Sequence, residues 1–277
     1  RKEKPSALIS TIYHANLVAI FSKIIARVNT KIIVRESNMH QALKNASYNQ
    51  VSYKFTLTLM RLLYRLADSI IVVSKAMGEE LGALINGIDH KIFLIHNFVN
   101  YEEISSLARE PVFHPWIEDK KSKIILSVGR LSSQKNWPLL LKVFAGLRRD
   151  NQVKLIILGE GPKRKEIEGM VQNLGIEDSV SLPGFKSNPY SWMSKSKIFV
   201  LSSDFEGFPN VLVQALACGC KVISSDSGSG PSEILEDGKW GRLFNIGDVN
   251  ALSSMIQEAL NEENDVNTTQ RALFFSS

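Results

Sequence analysis

Apolar residues fall in short runs separated by longer amphipathic stretches, and the alternation repeats along the chain. In the first hundred residues, "SALIS" (6–10), "TKIIVRE" (30–36), "SIIVV" (69–73) and "KIFLI" (91–95) predict strands. Helical spacing covers 14–28 and 51–66, and a further helix after the third strand has Ser74 placed to cap it. Strands of this kind, apolar almost throughout and joined by helices of ten or more residues, predict a parallel sheet covered on both faces.

The pattern lapses between 97 and 122, around "EPVFHPW", and restarts at "KIILSV" (123–128). Strands are expected again at 153–158, 179–182, 197–202 and 221–225, each ending in a glycine-containing or polar turn: "GRLSSQKN", "GEGP", "PGFKSN", "SDFEGFPN", "SDSGSGPS". The fold class read from this is α/β, with two facing Rossmann-like domains, 1–100 and 123–277, joined by a linker at 101–122. The first has few strands for a doubly wound sheet, and no glycine-rich first turn opens it.

The formal charge of +5 on 277 residues is small but uneven. Residues 1–100 hold 13 Lys/Arg against 6 Asp/Glu, and the remainder 20 against 22. An anionic partner for the first part and an ordinary solvated basic face are both open readings. The helix "VSYKFTLTLMRLLYRLA" (51–67) sets Lys54, Arg61 and Arg65 among Phe55, Leu59, Leu62, Leu63 and Tyr64. That composition suits a membrane surface as well as a sheet-covering helix. No apolar run approaches the roughly 18 residues of a spanning helix. The two cysteines, Cys218 and Cys220, fit packing in a reducing compartment, and metal binding would need more ligands than lie near them.

Candidate chemistry gathers at the strand ends. In "SVGRLSSQKN", Gly129 and Arg130 leave a strand and Lys135 precedes a helix, so two cations and helix N–H groups converge as a phosphate site would require. Two solvated surface cations are the alternative. Gly159 and Gly161 form only a G-x-G pair, and the third glycine of a dinucleotide fingerprint is replaced by Arg164, which disfavours a nicotinamide enzyme. In "SSDFEGFPNVLVQALACGC", Pro209 is expected at the first helical position and Gly219 at the left-handed position beyond the end. Glu206 then lies in the turn and Gln214 more than a turn inside the helix, so the two reach different parts of one elongated ligand.

The run "EGFPNVLVQALACG", with "VGRLSSQK", "LGEGP", "LPGF", "GSGPSEIL" and "DGKWGRLF" in that order, resembles the family 4 nucleotide-sugar glycosyltransferases, retaining enzymes of the GT-B fold. The likeness is strongest from 123 to 245 and looser from 5 to 100. It implies that Arg130 and Lys135 grip the donor diphosphate and that Glu206 meets hydroxyls of the donor sugar, beside Gly207, Phe208 and Asn210. Position 214, where relatives carry a second glutamate toward the ribose, is Gln214 here, and a departure from charge-assisted to neutral hydrogen bonding puts donor affinity in question. Gly129, Gly159 and Gly161 belong to the donor side, Phe185 and Lys186 to the base pocket, and Ser229, Gly230 and Glu233 to the loop beside the phosphates.

On the acceptor side, many relatives have a histidine where this chain reads Glu36 and Ser37. His14 could serve that side or be a structural hydrogen-bonder. The resemblance further implies a nucleotide-sugar co-substrate with no cofactor, no metal in the absence of a D-x-D pair, and a glycan or lipid-linked glycan acceptor in surface polysaccharide assembly. A UDP-sugar is favoured. The expected partners include an anionic membrane surface and no nucleic acid, and the expected place is the cytoplasm, at the inner face of the cytoplasmic membrane. Relatives begin and end beyond this chain, so a fragment of a protein about a hundred residues longer is expected. A nucleotide-sugar epimerase and a degenerate sugar-nucleotide binding module are the competing readings.

Overall fold

The computed structural model describes residues 3, 5–37, 50–119, 121–147, 152–228, 230–262 and 267–276; within 50–53 only the backbone is described. The chain divides into two compact units. The first comprises Arg1–Asn97 together with Phe205–Phe208 and Gly228–Gly230, and the second takes the rest. Both are the α/β units expected of a GT-B chain, each built on a parallel sheet.

In the first unit, β1 (Ala7–Thr11), β2 (Lys31–Glu36), β3 (Ser69–Val72) and β4 (Ile92–Leu94) pair in sequence order. The middle strands β2 and β3 alternate buried and part-buried positions, whereas β1 at the edge leaves Leu8 and Ile9 exposed. Helix α1 (Tyr13–Ala26) follows β1, α2 (Gln50–Leu63) precedes β3, and α3 (Lys75–Leu84) follows it. Ser74 caps α3 as expected, its hydroxyl accepting from the Met77 N–H. The α2 helix turns Met60 inward, followed by Tyr64, and leaves Lys54, Phe55, Arg61 and Leu62 exposed.

The second unit begins at Phe98 and takes in the whole stretch expected to be a linker, 101–122. Two short helices occupy it, α4 (Tyr101–Leu107), capped by Asn100, and α5 (Pro115–Glu118), capped by the His114 ring. Its sheet contains β5 (Lys123–Val128), β6 (Val153–Leu158), β7 (Val180–Gly184), β8 (Ile198–Leu201), β9 (Lys221–Ser225) and β10 (Arg242–Phe244). The lateral order is β7-β6-β5-β8-β9-β10. That is the Rossmann order 3-2-1-4-5-6, with the chain reversing direction across the sheet between β5 and β8. Ligands of such sheets bind at the carboxyl ends of the strands beside this reversal.

Helices α6 (Trp137–Leu147), α7 (Arg164–Asn173), α8 (Tyr190–Met193), α9 (Asn210–Ala217), α10 (Gly230–Leu235), α11 (Val249–Asn261) and α12 (Thr269–Leu273) complete the second unit's elements, apart from Gly230. Ile125, Leu140, Phe144, Leu155, Ile157 and Val200 form the centre of its core. The last segment returns to the unit's start: Val99 pairs with Ser276 and donates its N–H to the Phe275 carbonyl at 2.9 Å. Among the described residues no helix is long and apolar enough to cross a membrane.

Candidate active site

Three turns at the carboxyl ends of β5, β6 and β7 are laced together by their backbones. The Gly129 N–H donates to Leu158, the Leu131 N–H to Glu160, and the Gly159 N–H to Gly184, at 2.9–3.0 Å. Gly159 has φ of 143°, a region closed to most side chains, and a Cβ there would run into the Gly129 carbonyl. A Cβ on Gly161 would likewise collide with the Leu131 backbone. The G-x-G pair thus lets two loops touch, which is a packing role and a reason the turn lies close to whatever Gly129 and Arg130 face.

Lys135 ends a short 3-10 turn, Ser133–Lys135, and its aliphatic stem crosses Gly129: a Cβ there would stand 3.0 Å from Lys135 Cε. Its carbonyl accepts the Ser202 hydroxyl at 2.8 Å. Asn136, left-handed at φ 47°, donates through Nδ2 to Asp204 at 2.6 Å and accepts from the Leu139 N–H at 3.3 Å. The loop after β5 is therefore tied to the end of β8, across the chain reversal. The Trp137 indole N–H holds the Arg130 carbonyl at 3.3 Å, while the Arg130 side chain is exposed.

A cavity of about 460 Å³ opens over these turns. Gly129 and Arg130, Gly159 and Glu160, Phe185 and Lys186, Tyr190 and Gln214 contribute to its lining. The volume lies within the range of small-molecule sites. Phe185 presents an open aromatic face, 73% exposed, and the Lys186 ammonium lies 5.7 Å from the centre of the Trp192 ring. Gln214, from α9, donates through Nε2 to the Tyr190 hydroxyl at 3.4 Å. Burial pushes the Tyr190 phenol up, with Glu103 and Cys218 adding to it, so the hydroxyl keeps its proton. Glu160 is paired with Arg164 at 2.5 Å, which keeps that carboxylate engaged at the rim.

Of the expected donor-side residues, the structure collects Gly129, Arg130, Gly159, Phe185, Lys186 and Gln214 on one cavity, with Lys135 across Gly129 and Gly161 in the turn below. Glu206, Gly207 and Phe208 group with the first unit instead. Glu206 is 8% exposed and bridges to Gly228 as a short parallel pair. Gly207 packs so closely on the Ser37 carbonyl that a Cβ would overlap it, and the Phe208 ring lies 5.5 Å from that of His96. Asn210 opens α9; Pro209 is its N-cap, one position earlier than expected, and Gly219 has the expected left-handed φ of 79°.

His14 is exposed at the start of α1, its ring 3.6 Å from that of Tyr13. Glu36 is turned into the first unit, 5% exposed, and accepts from Asn16 Nδ2 at 2.9 Å and from the Tyr64 hydroxyl. It is thus committed to the interior and does not present its carboxylate outward beside Ser37. Burial raises its pKa to about 6 against the lowering effect of those two hydrogen bonds.

Sequence reasoning missed Tyr190 and Ser227. Tyr190 sits in "NPYSW", a stretch with no charged residue or glycine to mark it. Ser227 follows β9, is 2% exposed, and its hydroxyl is a buried polar atom with no hydrogen-bond partner, which marks a place where a ligand could supply one. Ser229 lies outside the described residues.

The sequence profile described as glycosyl transferases group 1 matches residues 109–272, more than half of the chain. The chain belongs to this family. Among individual proteins, it is 34% identical over 250 residues to the Campylobacter jejuni N-acetylgalactosamine-N,N'-diacetylbacillosaminyl-diphospho-undecaprenol 4-alpha-N-acetylgalactosaminyltransferase, covering 90% of this chain and 65% of that one. A second C. jejuni transferase, the GalNAc-alpha-(1->4)-GalNAc-alpha-(1->3)-diNAcBac-PP-undecaprenol alpha-1,4-N-acetyl-D-galactosaminyltransferase, is 28% identical over 266 residues, 95% of this chain and 67% of that one. The chain therefore spans about two thirds of the length of these relatives. In fold it is similar to Anabaena HepE, solved in complex with UDP and glucose, with a TM-score of 0.79 at 21% identity over 98% of this chain and 74% of HepE.

Proposed function

We propose that the protein to which this chain belongs is a retaining glycosyltransferase of the family 4 type. It moves a sugar from a nucleotide-sugar, a UDP-sugar first among candidates, to a glycan or lipid-linked glycan acceptor in surface polysaccharide assembly. The observation that carries the reading is the cavity at the chain reversal of the second unit. It combines an exposed aromatic face at Phe185 beside Lys186, an amide and a phenol at Gln214 and Tyr190, and a cation at Arg130, with Lys135 alongside. A base, a ribose and a diphosphate need those three kinds of surface.

In the reaction the bond between the anomeric carbon and the diphosphate oxygen breaks, and the nucleoside diphosphate leaves with the electron pair. The acceptor hydroxyl oxygen bonds the anomeric carbon on the same face, and its proton goes to the departing phosphate oxygen. Arg130 and Lys135 stabilise the charge gathering on the leaving group. Glu206 orients the donor sugar through its hydroxyls. Gln214 accepts from a ribose hydroxyl through its carbonyl while its amide engages Tyr190.

The undecaprenol-linked acceptors named for both C. jejuni relatives favour a lipid-linked acceptor here, and the exposed Lys54, Arg61 and Phe55 of α2 would suit an anionic membrane surface. The donor reading is tested by calorimetric titration with UDP, GDP and ADP. UDP should bind at least about tenfold more tightly than the other two, a difference of about 1.4 kcal/mol. Equal affinity for all three, or none for any, would reject it.

A further inference from the structure

Lys135 stands in a run of three residues that are each fastened to the segment leaving β8. The Gln134 carbonyl accepts the Asp204 N–H at 2.9 Å, the Lys135 carbonyl accepts the Ser202 hydroxyl at 2.8 Å, and Asn136 Nδ2 donates to the Asp204 carboxylate at 2.6 Å. Asp204 thus holds the residues on both sides of Lys135, one through its backbone and one through its side chain. Strands β5 and β8 are the neighbours between which the chain reverses direction across the sheet, so these ties cross the crevice where ligands of such sheets bind.

Asn136 is left-handed, at φ 47° and ψ 49°, a conformation that residues other than glycine adopt at a cost and that asparagine offsets by bonding locally. Its amide does so at both ends: Nδ2 reaches Asp204, and Oδ1 accepts from the Leu139 N–H in the first turn of α6 at 3.3 Å. The next residue, Trp137, is 2% exposed and holds the Arg130 carbonyl through its indole N–H at 3.3 Å, which closes the loop at its base. Gly129 and Arg130 line the donor cavity, and the Lys135 stem lies over Gly129, with Cε 3.0 Å from where a Cβ would stand. The two side chains that make the tie, Asn136 and Asp204, are half-buried and belong neither to the hydrophobic core nor to the cavity lining.

We propose that Asp204 is a positioning residue that sets Lys135 for the donor diphosphate. Asp204 touches no ligand. It fixes the backbone on both sides of Lys135 before the donor arrives, so binding does not have to order that loop. A carboxylate suits the task, because an amide N–H donated to an ionised acceptor makes a stronger hydrogen bond than one donated to a neutral oxygen. The inference rests on the donor reading above and on the part of Lys135 in it.

The test is UDP affinity, by calorimetry on the full-length protein, for wild type, Asp204→Ala, Lys135→Ala and the double variant, with far-UV circular dichroism and thermal unfolding on each. Asp204→Ala should weaken UDP binding about tenfold, Lys135→Ala at least as much, and the double variant no more than about twofold beyond Lys135→Ala, because the two losses are one. A general loosening of the fold would instead weaken binding by the same factor whether or not Lys135 is present. If Asp204→Ala does not fold, Asn136→Gly takes its place in the same cycle, since glycine adopts the left-handed backbone freely and removes the same tie. A folded Asp204→Ala that binds UDP within about twofold of wild type, or a double variant whose loss is the product of the two single losses, overturns the proposal. Lys135→Ala binding UDP as wild type does also overturns it, and leaves the donor reading standing. Failure of wild type to bind UDP overturns the donor reading, and this inference with it.

Discussion

At the scale of single residues, the division of labour on the candidate site makes separable claims. If Arg130 and Lys135 stabilise the leaving diphosphate, replacing either by alanine should lower turnover by about 10² or more with unfolding curves unchanged. Near-normal turnover in both variants would remove them from the chemistry. Glu36 makes a claim of a different kind, about stability. Its folded pKa of about 6 lies above the ordinary carboxylate value, so the folded chain holds this proton more tightly than the unfolded one. The contribution is complete below the unfolded pKa and is lost as pH rises from about 4.5 to about 6, by about 2 kcal/mol. Unfolding curves across that window should therefore fall for wild type relative to Glu36→Gln, whose amide does not titrate. Parallel profiles would show that the buried carboxyl is not the titrating group.

At the scale of elements, the strands of the second unit were the most legible part of the sequence. Strands buried on both faces produce continuous apolar runs, as β5 and β6 do, and no tertiary information is needed to see them. The three-residue β10 has too few positions to show a pattern and was missed. The turn proposed to meet the phosphates stands out in the sequence because Gly129, Arg130 and Lys135 lie within one short stretch after β5. The burial of Glu36 was not, since its partners Asn16 and Tyr64 lie 20 and 28 residues away and only the folded sheet brings them together. Tyr190 stands in a stretch with no charged residue or glycine to mark it, and its tie to Gln214 spans 24 residues. Helix α2 carries an element-scale prediction. Met60 is spent on packing, whereas Lys54, Phe55, Arg61 and Leu62 remain outward. Full-length protein should sediment with anionic vesicles at low salt and detach as salt screens the attraction. Equal sedimentation with neutral vesicles would leave the basic face as ordinary solvated surface.

At the scale of the whole molecule, family membership places the chain among the group 1 glycosyl transferases, while the nucleotide-sugar donor and the stereochemical course of the proposed transfer rest on the family 4 likeness. The course is also where the account is easiest to contradict. The full-length protein, given an α-linked UDP-sugar and an undecaprenyl-diphosphate-linked glycan, should yield a product whose new linkage is read by proton NMR from the anomeric coupling constant. The account predicts an α linkage, the configuration of the donor preserved. A β-linked product would contradict the retaining mechanism, and release of free UDP and sugar with no product linkage would contradict transfer itself.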